Sequence, residues 1–299
     1  MTLSPNPVLK KLGLVDTDRV AIIHTDDIGM CQASVGAFSD LNEVGIISSG
    51  AVMVPCPWFL HAAKYAAAHP QADLGVHLTL TSEWETYRWG PISTRDLASG
   101  LLDEQGYFYH RSEGAQEHGD PAAVEIELDA QVARAIKEGI LPTHVDTHMG
   151  SVAHPKFMAG YVQLALKYHL SPMIFRLNEA GWMAAGLDAE TAKMAAGLIQ
   201  HLEGMGVPLL DSLGGMPLDT DEDRLERTKK MLSDLTPGIT HFIIHPSKDT
   251  PELRAITPDW RCRVADYNDF MNDELQKHIK EIGLHVIGYR ALKDLMPKG

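Results

Sequence analysis

Two adjacent carboxylates, Asp26 and Asp27, close the apolar run Val20-Ala-Ile-Ile23 in the segment His24-Thr-Asp-Asp-Ile-Gly29. Ionising both in a partly dry place is costly unless a cation compensates them, and a metal ion would do so. Successive side chains of a strand point in different directions, so one carboxylate can bind a metal while the other faces a substrate. A structural alternative stands beside this reading. Asp is a favoured N-cap, and the pair could open a turn and cap a helix starting near Cys31.

The same residue types recur in other apolar runs. Gly75-Val-His-Leu-Thr-Leu-Thr81 places His77 inside a strand, and Thr143-His-Val-Asp-Thr-His148 sets His144, Asp146 and His148 on alternate positions, hence on one face. His245 ends the run Ile243-Ile-His-Pro246. A lone strand histidine is more often a satisfied core residue than a ligand. Two imidazoles and a carboxylate from separate strand ends, however, suit Zn²⁺, Mg²⁺ or Mn²⁺, with a position left for water at a catalytic site.

These groups need a scaffold that brings strand ends together. Apolar runs at Val20–His24, Ile47–Val54, Leu74–Leu80, Thr143–His148, Met173–Leu177, Val207–Leu210, His241–His245 and His285–Tyr289 read as strands. Amphipathic patterns at Ser34–Asn42, Trp58–Ala68, Ala122–Glu138, Pro155–Tyr168, Glu190–Gly204, Arg224–Leu235 and Tyr267–Ile282 read as helices between them. Seven or eight β-then-α repeats predict an α/β fold with parallel strands. No Gly-rich loop follows the first strand, and polar residues occupy many strand ends, including Asp211 after the sixth. Both features favour a TIM-like (β/α) barrel over an open sheet.

The 299 residues are read as one domain, interrupted at 82–120 by an insertion over the C-terminal mouth of the barrel. Its Trp84, Trp89, Tyr107 and Tyr109 could stack on sugar rings, although packing the insertion onto the barrel is the commoner use of such residues.

Composition is 44% hydrophobic and 22% charged, with a formal net charge of −14 that is spread along the chain. That balance disfavours nucleic acid and anionic lipid as partners and favours a neutral or cationic small molecule. Three cysteines without C-x-x-C spacing indicate neither a disulfide framework nor a thiolate site. Without a signal-like N-terminus or a run of eighteen apolar residues, a cytoplasmic location is expected.

Taken in order, His24-Thr-Asp-Asp-Ile-Gly29, Gly75-Val-His-Leu-Thr-Leu80, Thr143-His-Val-Asp-Thr-His148 and His245-Pro246 resemble the motifs of the YdjC-like carbohydrate deacetylases (ChbG and HpnK types), relatives of the polysaccharide deacetylases. The resemblance spans about Val20 to Tyr289. It implies a (β/α) barrel, often with fewer than eight strands, and one divalent metal ion held by Asp27, His77 and His148. Zn²⁺ or Mg²⁺ comes first, with Mn²⁺, Co²⁺ and Ni²⁺ compatible.

On that reading Asp26 is the general base, metal-bound water the nucleophile, and His245 the acid that protonates the departing amine. Asp146 orients a ligand, and His144 does the same or is core. Arg176 neutralises Asp26 or binds substrate. Arg263 and Asp266 fall where the family often carries an Arg followed by an acidic residue, and a salt bridge explains them as well. Many relatives carry a further His soon after the fourth-strand motif, so His154 is the rival to His148; register with Asp146 favours His148, and Pro155 marks His154 as a helix start.

The implied activity is removal of acetyl groups from N-acetylated sugars, by a protein that acts alone or as a homo-oligomer. Hydrolysis of another amide or ester, and a catalytically silent sugar-binding protein, are the alternatives.

Overall fold

The computed structural model of the chain describes residues 4–298. All strand pairings are parallel, along the path β5-β4-β3-β2-β1-β7-β6. The strands are β1 (Arg19–Ile28), β2 (Ser49–Val52), β3 (Leu74–Leu78), β4 (His144–Thr147), β5 (Ser171–Pro172), β6 (Ser212–Gly215), β7 (Gly238–Ile244) and β8 (His285–Val286). The seven strands of that path curl into a half-barrel, and β8 adds two residues against Val20 and Ala21 of β1. Among the described residues, the sheet meets itself between β5 and β6 only through a bridge from Phe175 to Leu210.

Helices cover the outer face. Helices Gln32–Val44, Phe59–Ala68, Pro121–Lys137 and Pro155–Lys167 bury Phe38, Ala62, Leu128 and Leu164 against the sheet. The inner face is layered. Val20, Ile22, Leu210, Ile239 and Tyr289 form an apolar plug at one end, His24, His144 and His241 lie buried above it, and the carboxylate-bearing ends of β1 and β4 come next. A barrel interior is normally filled in such layers.

Several element boundaries differ from the sequence reading. Strand five is only Ser171–Pro172 and strand six is Ser212–Gly215, not Val207–Leu210. Pairing with Thr240–Ile243 sets the latter, although Gly-rich Ser212-Leu-Gly-Gly215 has weak strand propensity. Asp211 therefore precedes β6, where its Oδ2 accepts from the Ile239 amide at the start of β7.

The expected single helix at 267–282 is two, Trp260–Phe270 and Asp273–Glu281, the second capped by the Asn272 side chain. Nor do Asp26 and Asp27 cap a helix: Cys31 occupies the N-cap of Gln32–Val44 without a side-chain bond. The segment 82–120 packs onto the barrel through Trp89, Leu101, Phe108 and Ala115, all buried. No helix among the described residues is long and apolar enough to cross a membrane.

Candidate metal and active site

Asp26 and Asp27 reach the same cleft because the backbone is not regular there. Pairing of β1 with β2 slips between Thr25 and Ile28, and Asp27 adopts φ 60°, a left-handed conformation unusual for a residue with a Cβ. An unbroken strand would send the two carboxylates to opposite faces. Here Asp26 Oδ2 and Asp27 Oδ1 lie 3.7 and 3.5 Å from the one nitrogen Nε2 of His77.

Three residues converge on one point with one ligand atom each. Asp27, His77 and His148 are buried, with those atoms within 4.8 Å of one another. The other atom of every one is held by an opposite charge: His77 Nδ1 is 2.9 Å from Asp146 Oδ1, His148 Nε2 is 3.1 Å from Glu83 Oε2, and Asp27 Oδ2 is 2.7 Å from Arg263 Nη1. Asp27 Oδ1 is left buried with no hydrogen-bond partner; His148 Nδ1 stands 3.1 Å away but unaligned. An unpaired carboxylate oxygen facing two imidazole nitrogens is the donor set of a divalent cation, and imidazoles backed by carboxylates are the usual outer support of such a site. The residues fit the metal.

Their ionisation carries the same imprint. Burial would raise the pKa of Asp27, but Arg263 and the two imidazoles hold it well below the carboxylate range. Burial would lower those of His77 and His148, yet Asp146 and Asp26 keep His77 well above the usual value, and Glu83 with Asp27 pushes His148 up to about 9. Without a cation, protons occupy the site instead.

Asp26 is positioned differently. Its Oδ1 lies 2.7 Å from His24 Nδ1, leaving Oδ2 toward the cleft, 3.9 Å from His245 Nε2. Against the raising effect of burial, His77, His24 and His245 keep its pKa well below the normal range, so it is a carboxylate. His245 is one-fifth exposed, its Nδ1 has no hydrogen-bond partner, and its amide donates to Asp266.

The cleft, about 230 Å³, is walled by Trp84, Met149 and Leu218 and rimmed by Glu83 and Asp259. Among its lining residues only Arg263 has a permanent positive charge, and Asp27 and Asp259 already share it.

The structure does not bring every expected residue here. Arg176 is bound to Glu203, Asp211 and the Ser4 carbonyl, tied through Asp211 to the N-terminal ends of the strands, and neither reaches Asp26 nor lines the cleft. The boundary shift in strands five and six is the reason. His154 accepts from Lys156 N as a helix N-cap and lies outside the cluster. Asp266 pairs with Arg224 rather than Arg263. His144 lies beneath the site in the barrel core.

Of the four aromatic residues only Trp84 faces the cleft. Trp89 is buried with its indole donating to Thr81 O, Tyr107 is exposed under Arg88, and Tyr109 stacks on His118. Glu83 and Asp259 were not singled out from sequence; the only available signal for Glu83 was its place just beyond the His77 strand.

Comparison with known proteins identifies the family. The YdjC-like protein family matches residues 20–281. A carbohydrate deacetylase of Thermus thermophilus is 34% identical over 97% of this chain and 99% of its own, and one of Thermoanaerobacter pseudethanolicus is 23% identical over 91% and 98%. A solved Enterococcus faecalis protein, named for a provisional assignment to cellobiose-phosphate cleavage, superposes with a TM-score of 0.73 at 25% identity, covering 92% of this chain and 99% of its own. By the extent of these matches, the chain belongs to the YdjC-like family.

Proposed function

We propose that the protein is a divalent-metal-dependent hydrolase that removes acetyl groups from N-acetylated sugars. One observation carries the reading: Asp27, His77 and His148 each turn one unencumbered donor atom to a common point, beside a second carboxylate, Asp26, left free to move a proton. The names of the Thermus and Thermoanaerobacter relatives support the substrate class.

A divalent cation at this point would supply Lewis acidity, polarising the acetyl carbonyl and making a water acidic enough to attack near neutral pH. The rest falls to the chain. Asp26 Oδ2 accepts the proton of the attacking water, while His24 holds Oδ1 and fixes the carboxylate. The C–N bond breaks as His245 gives a proton to the amine, and acetate leaves with the water oxygen. Asp26 Oδ2 and His245 Nε2 face one another at 3.9 Å, so a side-chain shift of about 1 Å would bring them into the hydrogen-bond range in which the acquired proton restores His245.

Trp84 offers a face for a sugar ring, and Asp146, Glu83 and Arg263 fix the ligands. The experiment is acetate release from a panel of N-acetylated sugars by native, chelated and metal-restored protein. Activity lost on chelation and restored by one divalent metal supports the reading, and release of an acid other than acetate redirects it.

A further inference from the structure

His245 is placed by its backbone more than by its ring. Nδ1 is buried without a partner among the described residues, and Nε2 lies 3.9 Å from Asp26 Oδ2, beyond hydrogen-bond range. Pro246, the next residue, has no N–H to give. The amides on either side of it both go to the helix Trp260–Phe270. His245 N donates to Asp266 Oδ2 at 2.9 Å, and Ser247 N donates to the Arg263 carbonyl at 3.1 Å.

Asp266 is held in turn by Arg224, whose Nε donates to Asp266 Oδ1 at 2.8 Å, both side chains being buried. The same guanidinium reaches a second part of the cleft. Its Nη1 donates to the carbonyls of Pro217 and Thr220 at 2.7 and 2.8 Å, and between those residues stands Leu218, a wall of the cleft. Met216 N fastens the start of this loop to Ile243 O, two residues before His245, at 2.9 Å.

At the other end of the loop Asp223 adopts φ 47°, left-handed, and leads into helix Arg224–Ser233. Asp269, the other acid of Trp260–Phe270 that feels Arg224, makes no bond to it; burial and Asp266 push its pKa up to about 6. A buried cation and a left-handed aspartate each carry a cost, and such features collect at working sites.

We propose that Arg224 is a positioning residue that couples proton delivery to substrate grip. Through Asp266 it sets the position of His245, and through Pro217 and Thr220 it sets the Leu218 wall. The inference rests on His245 being the acid.

A carboxylate accepts on both oxygens, whereas an amide of the same shape accepts on one side and donates from the other. Asp266→Asn therefore breaks one link and leaves Arg224 on the loop. At full metal content it should lower kcat by about tenfold, the size of one hydrogen bond, with KM unchanged. Arg224→Met removes both arms, so kcat should fall by about 10²-fold and KM rise by about tenfold; Arg224→Lys should recover part of each.

Misfolding also lowers kcat, by removing active molecules, so the deciding measurement is the nitrogen-15 isotope effect on kcat/KM for acetate release from an N-acetylated sugar. It is independent of the active fraction and grows as C–N cleavage, the step that needs the acid, becomes slower. It should exceed the native value in Asp266→Asn and Arg224→Met, as in His245→Gln.

A native isotope effect in Asp266→Asn, or a native KM in Arg224→Met, would overturn the proposal, and a raised isotope effect in His245→Gln would still leave His245 as the acid. An unchanged isotope effect in His245→Gln would remove the acid and the positioning role with it. Should Arg224→Met fail to fold, Arg224→Lys and Asp266→Asn decide.

Discussion

Asp27 and Arg263, 236 positions apart, meet at 2.7 Å through Oδ2 and Nη1, both side chains buried at the mouth of the half-barrel. The contact decides which oxygen of Asp27 is free for a cation. It also makes this guanidinium the largest single influence keeping Asp27 charged, ahead of His148 and His77, and Asp259 holds it on its other side. Arg263→Met should cost about 3–5 kcal/mol by stranding Asp27, and Arg263→Lys should recover only part of it because a single ammonium cannot serve both carboxylates. Thermal melts of chelated protein measure this; an unchanged melting temperature in Arg263→Met would contradict the pairing.

Loss of metal and loss of turnover should separate by residue. Asp27→Ala, His77→Ala and His148→Ala are expected to bind no stoichiometric metal. Asp26→Asn should retain it and lose about 10²–10⁴ in kcat. Elemental analysis beside acetate assays gives both numbers, and full metal content in all three alanine variants would overturn the ligand set.

The outer carboxylates should tune affinity without abolishing the site. Glu83→Gln and Asp146→Asn are each expected to weaken metal binding by about 10–100-fold. Competition with a chromogenic chelator reads this directly. An unaffected Glu83→Gln would mean that the 82–120 segment takes no part in holding His148.

Chelated protein should lose stability as the pH rises. A histidine whose pKa is raised on folding stabilises the fold fully below its unfolded value, about 6.5, and the contribution disappears as the pH passes its folded value. For His148 the window runs from about 6.5 to about 9. The melting temperature of chelated protein should fall across it, and saturating metal should flatten the curve by replacing the protons with a cation. Calorimetry at pH 7 in buffers of different ionisation enthalpy should show about two protons released per metal bound.

Gly75 should not tolerate even one methyl group. Gly75→Ala would drive a Cβ into His144, with an expected cost of about 1–3 kcal/mol. A denaturant melt tests it, and a neutral result would show that the ring can move aside.

Much of this was legible in the chain because apolar periodicity and the order of His and Asp motifs are local properties. β1, β3 and β7 carry them in largely apolar runs and β4 in a polar–apolar alternation; Asp26, Asp27 and His77 lie in these strands, and His148 and His245 directly follow theirs. Arg176 and Asp211 were misplaced because β5 and β6 are defined by partners more than by propensity; Pro172 and Gly214-Gly215 do not announce strands. Glu83 and Asp259 lie outside the strands, where no period predicts direction. Convergence of Asp26 and Asp27 needed a left-handed residue inside a strand, which a two-residue alternation rule does not anticipate.

The short strand β8 has a temporal consequence. It pairs with Val20 and Ala21, after which Tyr289 stacks on His144 at 3.9 Å, bonds His241, and is followed by the amide that meets Asp73. The ribosome makes these residues after every other strand of the sheet. A nascent chain with seven strands already paired would still have a wet, unplugged histidine layer, so the last-made strand determines when the interior becomes dry.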